Sequence, residues 1–190
     1  PTIDGVANTV KNYADIITAH YGTAVVVTPK YPNVIDDYPY EVRRYHSAKF
    51  GEKMPYRVGN PFSPLTVRKL KQENFDLLHV HCPFCSGVLA HQITMLDGDA
   101  PPTVFTYHTK FDIDIDNFVH NKAINALARK LVLSSISYAD EVWAVSKGAI
   151  ESMRILGYEG DVRVMPNGTD FKKGPGDPAA VAEINRMYLL

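Results

Sequence analysis

Hydrophobic and polar positions alternate along the chain with two different periods. Val6, Val10, Tyr13, Ala14 and Ile17 recur at helical spacing, and Gly22 follows where a helix cap belongs. Ala24-Val25-Val26-Val27-Thr28 is a short continuous β-branched run, the pattern of a strand covered on both faces. A polar stretch rich in Pro and Tyr leads to a weaker strand over 41–45. Residues 64–74 predict a helix with Pro64 in its first turn. Thereafter the chain predicts strands at 76–81, 102–107, 141–145 and 161–165, separated by helices at 86–96, 117–138 and 147–156, with a last helix at 178–188.

Strands separated by helices imply right-handed crossovers and a parallel sheet with helices on both faces. The expected fold class is therefore α/β, a Rossmann-like, doubly wound, mostly parallel sheet. A doubly wound sheet begins with a central strand, yet the first helix here has none before it, so about ten further residues are expected upstream. Residues 1–170 read as one domain. Residues 171–190, with Gly174-Pro175-Gly176, read as a linker and a helix leading out of it. Ligands of such sheets collect outside the carboxyl ends of the strands. That selects His81-Cys82-Pro83, His108-Thr109, Ser146 and Asn167-Gly168 as the positions able to carry chemistry.

Composition narrows the picture further. A chain of 190 residues with net charge −1 gives no electrostatic ground for binding nucleic acid. No apolar run reaches the roughly 20 residues that span a bilayer, and no signal peptide opens the chain, so a cytoplasmic setting is expected. Cys82 and Cys85 alone make no disulfide framework.

Five segments carry a resemblance. They are Asp4-Gly5-Val6-Ala7-Asn8-Thr9-Val10, Phe75-Asp76-Leu77-Leu78-His79-Val80-His81, Val104-Phe105-Thr106-Tyr107-His108-Thr109, Ala139-Asp140-Glu141-Val142-Trp143-Ala144-Val145-Ser146 and Val164-Met165-Pro166-Asn167-Gly168-Thr169-Asp170. In this order and spacing the chain resembles the N-terminal, acceptor-side domain of the retaining GT-B glycosyltransferases. The resemblance implies transfer of a sugar from a nucleotide diphosphate sugar to an acceptor hydroxyl with retained configuration, without cofactor or metal. It also implies that the donor-binding half, with its Arg, Lys and paired glutamates, lies outside these residues and that the chain alone is inactive. Glu151 and Glu159 share that pair's spacing but lie before the Asn-Gly segment, and they read as solvated surface. Saccharide and glycolipid acceptors are both open, and so is peripheral membrane attachment.

The resemblance places Gly5 beside the donor phosphates, His108 against the transferred sugar, and Thr109, Ser146, Asn167 and Gly168 around the interdomain cleft. The residues also support plainer readings. Gly5 can be a turn glycine at a helix start capped by Asp4, although that same helix terminus attracts anions. Ser146 can be a helix cap, and Asn167-Gly168 a turn. His108 can be structural. His79 and His81 share a strand face and, with His108 and the run Asp112, Asp114 and Asp116, could build a metal hydrolase site. Cys82 and Cys85 at a helix start would suit a thiol oxidoreductase. A non-catalytic Rossmann-type binding module is the third alternative. Phe111, Ile113, Ile115 and Phe118 could line an acceptor site or pack beneath a loop, and both readings stand.

Overall fold

A computed structural model describes residues 4–49, 57–95, 100–168 and 174–188. The expectations placed on Thr169, Asp170, Leu96 and the first part of the linker fall outside the described residues, as does the side chain of Phe118.

Four strands form a wholly parallel sheet in the order β5 (Leu78–Val80), β6 (Thr103–Tyr107), β7 (Glu141–Ala144) and β8 (Arg163–Val164). A second parallel pair joins β1 (Val25–Pro29) to β2 (Glu41–Tyr45), in register from Val25 opposite Glu41 to Pro29 opposite Tyr45. The doubly wound α/β expectation holds. All five residues of β6 are buried, because partners flank it on both sides. In β1 every residue is only half-buried, since β2 is its one strand partner among the described residues. The core beneath β6 and β7 is formed by Phe105, Tyr107, Val132, Ile136, Ala144 and Met153, each 0% exposed. A second cluster joins Tyr45, Leu70, Leu89 and Ile93 with Val27 and Leu78, which ties the two sheets to the helices covering them.

The helices begin and end where local chemistry dictates. In α1 (Gly5–His20) the Asp4 carboxylate accepts the Ala7 N–H at 2.7 Å. In α2 (Pro64–Lys71) Ser63 caps and Pro64 fills the first turn, where its missing N–H is harmless. Helix α3 (Cys85–Thr94) follows β5, and α6 (Lys147–Leu156) follows β7. Gly157 ends α6 in the left-handed region at φ 99°, with Gly157 N–H on Arg154 O and Tyr158 N–H on Met153 O, both at 3.0 Å. Helix α7 (Pro178–Tyr188) is exposed at every described position.

Two parts differ from expectation. The single helix over 117–138 is two, α4 (Phe111–Phe118) and α5 (Lys122–Ser137). Asn121 breaks them apart, because its side chain accepts the N–H groups of Ala123 and Ile124 at 3.0 and 3.2 Å and restarts the helix. An antiparallel pair, β3 (Ser47–Lys49) and β4 (Arg57–Gly59), also appears between the 41–45 strand and the 64–74 helix, where no element is predicted. Gly59 seats it against the core: a Cβ there would stand 2.2 Å from Cε2 of Tyr45.

Candidate active site at the carboxyl edge of the sheet

Because β5 through β8 are parallel, they deliver His81, His108, Ser146 and the 165–168 segment to one edge. His81 follows β5 and His108 follows β6. Their rings meet across the strand ends, with His81 Nδ1 2.8 Å from His108 Nε2 and ring centroids 5.1 Å apart at 28°. His79, two residues earlier on the same face of β5, lies 4.0 Å from the His81 ring centroid. Its Nε2 bonds Thr106 Oγ1 on β6 at 2.7 Å, and Trp143 of β7 stands edge-on to it at 5.2 Å. Tyr13 of α1 packs against both His79 and His81, at 5.2 and 5.8 Å. The three imidazoles thus form a packed row over β5 and β6, lidded by an aromatic ring from α1.

Burial holds this row neutral. It draws His79 down to about 4, helped by the charge His108 would carry. It draws His108 down to about 4 as well, with the Asp4 carboxylate pulling weakly the other way. His81 is pushed well below the usual histidine range by burial, then by His79 and His108. Gly5 opens α1 with nothing within 4 Å of where a Cβ would be. Tyr13 of α1 packs on His79 and His81, so this helix lies against the histidine row.

The other candidates separate. Thr109 Oγ1 donates to Asp114 Oδ2 at 3.2 Å, which turns its hydroxyl toward α4. Ser146 caps α6, accepting the Ala149 N–H at 3.1 Å. Asn167 and Gly168 lie exposed past β8, and no hydrogen bond or ring contact among the described residues links them to the histidine row. The aspartates of the metal reading point three ways: Asp112 to Ser152, Asp114 to Thr109, and Asp116 to Arg129 at 2.7 Å. No group of three or more His, Cys, Asp or Glu among the described residues is arranged to hold a metal. Both thiols are free, and burial pushes Cys82 and Cys85 above the usual thiol range, opposite to what redox nucleophiles need.

Phe111 and Ile115 pack inward, Phe111 edge-on to Phe84 and Tyr107 and Ile115 in the core, while Ile113 is exposed. Sequence reasoning missed Tyr13 and Trp143 as neighbours of the histidines. Only their places on a helix and strand flanking β5 and β6 could have signalled it. A cavity of about 970 Å³ lies elsewhere, lined by Val67, Leu70, Lys71, Phe75 and Ile93 with Pro101, toward the opposite end of the sheet from the histidines.

Residues 3–173 match the family model described as Glycosyltransferase Family 4. A solved structure of a sucrose-phosphate synthase from Thermosynechococcus elongatus is similar at 16% sequence identity, with a TM-score of 0.52. The similarity covers 95% of this chain and 92% of that one, and it concerns the fold. No curated protein sequence matches the chain. Among the described residues no helix is long and apolar enough to cross a membrane.

Proposed function

From the premise that the chain belongs to Glycosyltransferase Family 4 and has the fold of one GT-B half, we propose that it supplies the acceptor side of a retaining transfer. The donor is a nucleotide diphosphate sugar, and the acceptor is the hydroxyl of a saccharide or glycolipid. The observation that carries this reading is the packing of α1, through Tyr13, against the histidine row at the carboxyl edge, which supplies two groups. One is the N-terminus of α1 at Gly5, and the other is the neutral, half-buried His108. The first suits phosphate oxygens, through unpaired N–H groups and the helix dipole. The second suits a sugar hydroxyl, which a neutral imidazole can bond without placing another charge in a dry site.

Residues 1–170 form the acceptor-side domain, and 171–190 lead toward a separate donor-binding domain. Leaving-group departure is helped by fixed positive groups on that domain rather than by a divalent metal or other cofactor. Closure of the two halves excludes water and limits hydrolysis of the donor. Thr109, Ser146, Asn167 and Gly168 border the cleft, and a cytoplasmic setting suits a nucleotide sugar.

The test is His108→Ala in the protein joined to its donor-binding half. Turnover is expected to fall about 10²–10⁴-fold, the range for one well-placed polar catalytic group, with the melting temperature within a few degrees of the parent. Near-normal turnover, or a variant that unfolds, would return His108 to a structural role.

A further inference from the structure

The histidine pair leaves one ring nitrogen unused. His108 Nε2 is taken up by His81 Nδ1 at 2.8 Å, while His108 Nδ1 is buried with no hydrogen-bond partner among the described residues. Each neutral imidazole carries one N–H and one bare nitrogen. A single proton therefore lies between the two rings, and its owner decides what the other end of His108 offers. If His81 donates, His108 must carry its proton on Nδ1, as a buried N–H with nothing to receive it. If His108 donates from Nε2, its Nδ1 is a bare lone pair. Orphaned buried N–H groups are rarer than under-used acceptors, so the second arrangement is the stable one in the free protein.

We propose that His81 is a positioning residue: by accepting the Nε2–H of His108 it fixes that ring's tautomer and rotation, so that Nδ1 is kept as the bare acceptor end, covered in the free chain and reached by a sugar hydroxyl once that cover moves aside. The row behind His81 supports the assignment. His79 packs on it at 4.0 Å and is itself pinned to Thr106, and Tyr13 packs on both rings, so the His81 ring has little freedom to turn. The groups that could disturb the shared proton are His79 from β5, Asp4 and Tyr13 from α1 and its cap, and His108 itself. The choice of sugar hydroxyl as ligand rests on the glycosyltransferase reading; the tautomer does not.

The experiment therefore has two arms. Long-range proton–nitrogen correlation spectra of the 190-residue chain with nitrogen-15 histidine, at pH 7, should show His108 protonated at Nε2 and bare at Nδ1. His81→Asn keeps an acceptor oxygen near the lost Nδ1 and should keep that pattern. His81→Phe keeps a ring in the row but no acceptor, and should lose it. In the protein joined to its donor half, His81→Phe should lower turnover by about 10–100-fold, and His81→Asn should restore most of that loss. A parent spectrum with the proton on Nδ1 of His108, or an unchanged pattern in His81→Phe, overturns the proposal. The parent spectrum decides even if His81→Phe fails to fold. If the spectra behave as expected while no nucleotide sugar is ever turned over, the glycosyltransferase reading fails and the tautomer assignment stands.

Discussion

Asp112 on α4 and Ser152 on α6 meet inside the core, where the Ser152 hydroxyl donates to the Asp112 carboxylate. Tyr107 OH lies 3.0 Å from Ser152 Oγ and accepts the Phe111 N–H at 3.2 Å, so the bonds run as a chain toward one buried carboxyl group. The chain holds the first turn of α4 onto Tyr107, the last residue of β6 and the one before His108. Asp112→Ala leaves the buried Ser152 hydroxyl without its carboxyl acceptor and should cost about 2–3 kcal/mol. For a chain of this length that lowers the melting temperature by roughly 4–12 °C. An unchanged melting temperature by circular dichroism would show that the buried carboxyl group is not supporting the fold.

Gly5→Ala separates the ligand from the fold. A methyl group at Gly5 meets no protein atom within 4 Å, and Ala suits a helix better than Gly. Chemical denaturation should find stability within about 0.5 kcal/mol of the parent. Turnover in the protein with its donor half should nevertheless fall tenfold or more, because the methyl occupies the space expected for phosphate oxygens. Full activity would remove Gly5 from the site.

Acid should destabilise the fold in a defined window. His79 and His108 are drawn down to about 4 from an ordinary 6.5, so the folded state binds fewer protons than the unfolded state between those values. Stability is therefore fully present above pH 6.5 and is lost as pH falls toward 4, with His81 acting in the same direction. The slope is bounded by about 1.4 kcal/mol per pH unit for each histidine. Asp36 and Asp116 are held below their usual 3.8 by arginine partners and hydrogen bonds, so their contributions fall at lower pH. Urea unfolding at pH 4.5, 5.5, 6.5 and 7.5 checks this, and a flat profile from pH 4.5 to 6.5 contradicts it.

Changing Cys82 and Cys85 together to Ala should leave turnover within a few fold of the parent. Both thiols are protonated at neutral pH because burial raises them. A loss beyond about 100-fold without unfolding would bring thiol chemistry back.

What could be read from sequence was whatever repeats or ends abruptly. The Val25–Val27 run and the apolar 103–107 segment announced strands, and the residues closing the central strands announced the edge that carries His81 and His108. The α4–α5 break escaped because Asp112, Asp114 and Asp116 alternate with apolar residues as a strand would, while the helix is set by packing of Phe111 and Ile115. The β3–β4 pair is too short to carry a periodic signal. The bond between His81 and His108 was invisible because it depends on the register that sets Val80 opposite Phe105, not on spacing along the chain.

The enclosure of β6 has one more consequence. With strands on both sides and every residue buried, its amide hydrogens can reach solvent only when the whole domain opens. Those of β1, half-buried and paired on one side among the described residues, need only a local excursion. Under thermal agitation the platform carrying His108 is thus the last part to loosen, and the ring at its end keeps its address while the periphery breathes.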